Sequence, residues 1–173
     1  MGLAAAGAGL ALGMLPAGRV ADAAVSGARR LRFYSLNTEE QLSTVFWQDG
    51  RLLPDALAEI DYHLRDFRTG DVRPIDPDLL DLLYRLSSLM NYEEPIHVIS
   101  GYRSPKTNAM LASRSNQVAT RSYHLLGMAI DIRLPGRGLG EVRRAARGRA
   151  RGGVGFYPAS DFVHVDTGPV RSW

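Results

Sequence analysis

Ser122-Tyr123-His124-Leu125-Leu126-Gly127-Met128-Ala129-Ile130-Asp131-Ile132-Arg133-Leu134 carries the pattern from which the rest of the chain is read. From Met128 onward the residues alternate. Met128, Ile130, Ile132 and Leu134 fall on one face and Ala129, Asp131 and Arg133 on the other, the period of a β-strand with a single face in the core. Gly127 supplies a turn ahead of that strand, with His124 just before the turn. Ala129 leaves room beside the Asp131 carboxylate, and a metal ion needs such room.

A second stretch, Ser160-Asp161-Phe162-Val163-His164-Val165-Asp166, has the same period. Its core face is Val163 and Val165, so His164 shares the other face with Phe162 and Asp166. Two histidines and one carboxylate can therefore meet at one point. The chain contains no cysteine, which excludes disulfides and thiolate metal sites, so any metal is held by nitrogen and oxygen. A catalytic zinc usually takes three such ligands and keeps a fourth position open. Non-haem iron uses a similar triad, and a histidine hydrogen-bonded within a loop is the plainer reading of either His alone.

Working outward, residues 31–47 read as two strands of a small hairpin, with Asp49-Gly50 as a turn. Thr38-Glu39-Glu40-Gln41 also fits a capping box, so a short helix competes there. Leu57, Ile60, Leu64 and Phe67 recur at helical spacing after Pro54, and Thr69-Gly70 closes that helix. Asp76 and Pro77 open a leucine-dense helix, Ile96 begins a core strand, and Ser104-Pro105 start a short helix through Leu111. The arginine-rich residues 136–153 read as a solvated helix with glycine ends, or else as a wall-contacting element, and 154–157 and 162–167 as strands across a Pro158 turn. The fold class is α+β, with a small, mainly antiparallel sheet and helices to one side. His63 and His97 fall in scaffold elements and are read as structural.

At 173 residues the chain suits one domain and one site. Residues 1–23 read as a signal peptide, an apolar run too short to span a bilayer followed by Ala21-Asp22-Ala23. A positive stretch before the run is missing, and an upstream twin-arginine segment would supply it. The expected organisation is signal peptide 1–23, touching the membrane only during export, linker 24–30 and domain 31–173. The net charge is +3 and Lys106 is the only lysine. The arginines are not interleaved with aromatic residues, which speaks against nucleic acid as a partner.

Ser100-Gly101-Tyr102-Arg103-Ser104, Ser122-x-His124-x-x-Gly127-x-Ala129-x-Asp131 and Asp161-x-x-His164, in this order, resemble the zinc D-alanyl-D-alanine peptidases that share a fold with the hedgehog signalling domain. The segments Phe162 to Gly168 and Arg65-Asp66-Phe67-Arg68-Thr69-Gly70 resemble the exported murein endopeptidase branch of that superfamily. The resemblance implies one Zn²⁺ on His124, Asp131 and His164, and hydrolysis of amide bonds in peptidoglycan peptide cross-links in the periplasm or cell envelope. It makes Asp161 the general base, with Asp166 as the alternative. Asp166 is about 6.6 Å along the strand from His164, a spacing more natural for a supporting or substrate contact. Arg103 resembles the arginine set beside the scissile carbonyl, and Ser122 either positions His124, contacts substrate or is a plain turn serine. The rival activities are a D,D- or L,D-carboxypeptidase trimming stem peptides and a non-catalytic wall-binding protein.

Overall fold

The computed structural model describes Gly2 and residues 27–173, apart from 116–117 and 150–151. Along these residues the chain runs β1 (Ala28–Ser35), β2 (Gln41–Gln48), β3 (Arg51–Leu52), α1 (Pro54–His63), α2 (Pro77–Leu89), β4 (Ile96–Ser100), α3 (Pro105–Arg114), β5 (Ala129–Arg133), α4 (Leu139–Arg149), β6 (Gly153–Tyr157), β7 (Phe162–Asp166) and β8 (Arg171–Ser172). The strands form one sheet in the order β3-β2-β1-β4-β5-β7-β6-β8. β1 with β4 and β6 with β8 pair parallel, and every other pair is antiparallel. The α+β architecture is as expected, with a larger sheet. The signal segment read at 1–23 lies outside the described residues apart from Gly2, and β1 takes in residues 28–30 of the stretch assigned to the linker.

Asp76 caps α2 by accepting the Asp78 backbone N–H at 3.0 Å, and Pro77 pre-sets the first turn. Leu79, Leu80, Leu83 and Leu86 of α2 are fully buried with Val142 and Ala146 of α4, against Leu31, Phe33, Ile130, Ile132, Val163 and Val165 of the sheet. Each such side chain stabilises the fold by roughly 1.5–3 kcal/mol on burial, so the helix-covered face is the main source of stability. Because side chains alternate, Asp131 and His164 must then point to the other face. That face is covered as well: Ala129 is 0% and Asp131 2% exposed. The expectation of a single covered face on this strand is corrected here, since the second face of β5 is buried in the site itself.

α1 ends at His63 and does not reach Phe67. The Leu64 N–H still bonds Ile60, but Gly70 N then closes on the Asp66 carbonyl at 2.7 Å, so residues 64–70 form a tight loop. Leu64, the C-cap, is buried with the helix, and Phe67, one further turn along the pattern, falls in the loop. The competing helix at Thr38 is likewise replaced by a turn, in which Thr38 donates to Glu40 and Glu40 pairs with Arg65 at 2.8 Å. His63 stacks on Phe33 and His97 packs against Tyr34.

Asp66, 1% exposed, fastens this loop to the one after β4. Its carboxylate accepts the backbone N–H of Arg68 at 3.0 Å and of Ser104 at 2.8 Å, while Tyr102 N donates to the Leu64 carbonyl at 2.8 Å. Burial pushes the Asp66 carboxyl up, but hydrogen bonds from Thr107, Ser104 and Arg68 outweigh it and hold the group below its ordinary value. A carboxylate depressed in the folded state contributes stability above its unfolded pKa of about 3.9, and that contribution is lost as the pH falls through the folded value. Asp66→Asn is expected to lower the unfolding free energy by about 1–3 kcal/mol at pH 7, and by less near pH 3. Urea unfolding at the two pH values measures this, and equal losses at both would contradict the assignment.

Candidate metal centre

Residues Tyr123–Leu126 make one 3-10 turn, capped by Ser122, whose Oγ accepts the His124 N–H at 3.3 Å. Gly127 closes the turn at φ 70°, where a Cβ would lie 2.4 Å from the Pro74 carbonyl oxygen. The turn drives His124 inward to 1% exposure. β5 and β7 pair so that Asp131 stands opposite His164, with both side chains on the helix-free face. Three elements thus deliver three donors. His124 Nε2 lies 3.2 Å from Asp131 Oδ1 and 3.2 Å from His164 Nδ1, and His164 Nδ1 lies 2.9 Å from Asp131 Oδ1.

The outer nitrogens of both rings are already used. His124 Nδ1 faces the Gly101 carbonyl at 2.7 Å, and a carbonyl only accepts, so the proton sits on Nδ1 and Nε2 presents a lone pair. His164 Nε2 faces Asp166 Oδ2 at 2.9 Å and its Nδ1 faces Asp131 Oδ1 at 2.9 Å; with the ring proton on Nε2, Nδ1 is available as a ligand. In those tautomers two imidazole lone pairs and a carboxylate oxygen face one another in a buried site, an arrangement that suits a cation between them. Ligands of a tetrahedral zinc at roughly 2.0–2.1 Å lie about 3.3 Å apart, close to the three spacings here, so the residues fit such an ion. Among the described residues, these are the ones whose donor atoms cluster as metal ligands.

Charges around the donors keep Asp131 ionised. Burial pushes its carboxyl up, but His124, His164 and Arg103 outweigh burial and hold it far below the ordinary value. Burial lowers the His124 pKa. It also lowers that of His164, but hydrogen bonds to Asp131 and Asp166 outweigh it and the net shift is upward. Arg103 donates through Nη2 to Asp131 Oδ2 and through Nε to Ser100 Oγ at 2.8 Å, so its guanidinium is fixed beside the donors.

A cavity of about 310 Å³ opens over the cluster, walled by Arg103, Arg121, Ser122, Tyr157, Phe162 and Trp173 among others. Arg103, His124, Asp131, His164 and Ser122 of the expected site residues meet there. Asp166 lies behind His164, fully buried. Asp161 is not in the cavity wall: its carboxylate pairs with Arg133 at 2.7 Å, its side chain is 64% exposed, and it borders a separate depression with His97. Sequence reading missed the Gly101 carbonyl, Arg171 and Trp173. The Trp173 ring sits 5.3 Å from the His164 ring, and neither Arg171 nor Trp173 belongs to a motif that would have drawn attention to it.

The mixed sheet and the cavity over a buried two-histidine, one-aspartate set suit a peptidase domain that could hold a metal. Residues 23–173 match the family described as peptidoglycan L,D-endopeptidase MepK, and the chain belongs to that family. It is similar to the peptidoglycan L,D-endopeptidase MepK of Escherichia coli (strain K12), 40% identical over 171 residues that cover 99% of this chain and 94% of that one. The Shigella flexneri protein of the same name gives the same figures. The "Probable peptidoglycan L,D-endopeptidase MepK" of Haemophilus influenzae is 44% identical over 170 residues, covering 95% of this chain and 90% of that protein.

Gly101 carries a prediction of its own. A Cβ there would lie 2.5 Å from the Leu64 carbonyl oxygen, a backbone atom that cannot yield without moving the loop. The Gly101 carbonyl would shift and His124 would lose the acceptor that fixes its tautomer. If the three donors hold a metal, Gly101→Ala is expected to weaken its binding about 10–100-fold in a chelator competition. An affinity equal to that of the unsubstituted protein would contradict this account of the turn.

Proposed function

We propose that this chain is a zinc-dependent peptidoglycan L,D-endopeptidase of the cell envelope that hydrolyses an amide bond in the peptide cross-links of the wall. The observation that carries the reading is the convergence of His124 Nε2, His164 Nδ1 and Asp131 Oδ1, at 2.9–3.2 Å, under an open cavity. It stands in a chain 40–44% identical to proteins named for that activity. When bound, zinc supplies Lewis-acid chemistry, polarising the scissile carbonyl and making water acidic enough to attack at neutral pH.

The chain's own residues supply the rest. His124, Asp131 and His164 would hold the ion, with the cavity open beside them. Arg103 keeps a fixed positive charge in the cavity wall, where negative charge develops on the carbonyl oxygen as the attack proceeds. Ser122 caps the turn that carries His124 and lines the cavity.

The proton leaves the attacking water for a carboxylate and then passes to the departing amine, and Asp161 is the residue we assign to that transfer. Asp166 already accepts five donors, from His164, Gly153, Gly168 and both terminal nitrogens of Arg171. Burial raises its carboxyl, but those donors outweigh burial and hold it far below the ordinary value, which unsuits it to take a proton. Asp161 follows Ser160, which lines the cavity, and its carboxylate would have to leave Arg133 to serve there. Export is part of the same reading: the family match begins at Ala23, the last residue of the small-residue triplet, which fits removal of residues 1–23. A twin-arginine route is the one proposed.

Two experiments test the proposal. Purified protein is expected to convert cross-linked muropeptide dimers to monomers, to stop with a chelator and to resume with zinc. Intact dimers in the presence of zinc, or release of terminal D-alanine from uncross-linked stems in their place, would overturn the endopeptidase reading. Asp161→Asn is expected to lower kcat about 10²–10⁴-fold with zinc content unchanged. Full activity in that variant would move the proton transfer to another group.

A further inference from the structure

We propose that Arg171 is a positioning residue for the metal centre: acting through Asp166, it fixes the orientation and tautomer of His164, which makes the C-terminal strand β8 a working part of the site. The inference rests on the metal reading above and deepens it.

The His164 ring is suspended between two carboxylates. Nδ1 lies 2.9 Å from Asp131 Oδ1, and Nε2 lies 2.9 Å from Asp166 Oδ2. If Asp166 turned away, Nε2 would lose its acceptor and the ring proton could move to Nδ1, the atom that must stay bare to bind a metal. The aim of Asp166 therefore decides whether His164 is a ligand. Asp166 is 0% exposed, and a carboxylate so buried is tolerated only with partners on both oxygens. Gly153 and Gly168 donate backbone N–H to Oδ1, both at 2.9 Å. Neither reaches Oδ2, the oxygen that holds His164. Arg171 reaches both, Nη1 to Oδ1 at 3.1 Å and Nη2 to Oδ2 at 2.7 Å, and this two-point contact sets the rotation of the carboxylate.

Arg171 is itself held in place. Its Nη1 also donates to the Pro169 carbonyl at 3.0 Å, and its guanidinium carbon lies 5.1 Å from the Tyr123 ring centroid and 4.9 Å from that of Trp173. Tyr123 precedes His124, and Trp173 packs on His164, so the guanidinium touches the neighbours of both histidines. The strand beside it is built to admit it. A Cβ on Gly153 would lie 2.5 Å from Asp166 Oδ2 and 2.7 Å from Arg171 Nη1, and one on Gly155 would lie 2.8 Å from the Trp173 ring. β8 itself pairs with β6 over two residues, both exposed, and adds little apolar burial to the core. Its placement makes sense through what Arg171 does for Asp166.

The test compares zinc affinity, by chelator competition on the full chain, with thermal unfolding of the metal-free protein. The variants are Arg171→Gln, Arg171→Lys, Asp166→Asn and the double variant Asp166→Asn/Arg171→Gln. Arg171→Gln is expected to weaken zinc binding about 10-fold and Asp166→Asn about 10–100-fold. The double variant should bind no more weakly than Asp166→Asn alone, because the arginine acts through the aspartate. Lysine keeps the charge but not the two-point contact, so Arg171→Lys should recover only part of the affinity. An Arg171→Gln protein with unchanged zinc affinity and a less stable metal-free fold would overturn the inference, leaving Arg171 as a fastener of β8. Full additivity in the double variant would overturn it too. Absence of zinc binding by the unsubstituted protein would instead bring down the metal reading on which it rests.

Discussion

Three acceptor atoms aimed at one point, His124 Nε2, His164 Nδ1 and Asp131 Oδ1, are the constraint around which this structure is arranged. In a buried site such lone pairs repel one another unless a proton or a cation lies between them. The cost of holding them together is tolerable because each is gripped from behind. The Gly101 carbonyl grips His124, Asp166 grips His164, and Arg103 grips the second oxygen of Asp131. A cation completes the set and turns a repulsive arrangement into a binding site.

The fold supplies the rigidity this needs. Asp131 and His164 face each other from paired central strands, whose opposite faces lock Ile130, Ile132, Val163 and Val165 into the helix-covered core. Such a mounting holds donor atoms more firmly than loops would. His124 comes from a turn, and that turn is tied in turn to the loop after β4, which Asp66 and the Leu64 carbonyl fasten to the end of α1. A path of hydrogen bonds thus runs from residues 64–70 to His124 and the candidate metal site. It gives a physical reason for the segment Arg65 to Gly70, whose link to the site is invisible in one dimension.

Much of this was legible in the sequence where the signal is local. The alternation of residues 128–134 gives β5, Asp76-Pro77 gives the start of α2, and the placement of His164 opposite two valines puts it on the same face as Asp131. Features set by long-range packing were not legible. Leu64 caps α1 and keeps the helical bond to Ile60, whereas Phe67, at the same spacing, already lies in the loop that Asp66 folds. β8 pairs in parallel over two residues, too short a stretch to leave a periodic trace. The Gly101 carbonyl is a backbone atom, and no side-chain pattern announces it. Arg171 is one arginine among many until the chain folds it onto Asp166. The motif at Asp161 identified a carboxylate at the right separation from His164, but separation along the chain does not set the rotamer, and here the side chain rests on Arg133.

The central claim is that the bare nitrogens of His124 and His164 and one oxygen of Asp131 bind a single zinc ion and leave it an open position. X-ray absorption at the zinc edge on protein loaded with one equivalent tests this most directly. The account predicts a four-coordinate nitrogen and oxygen shell at roughly 2.0–2.1 Å with the outer-shell scattering of two imidazoles. A six-coordinate, water-like shell without imidazole scattering would contradict it.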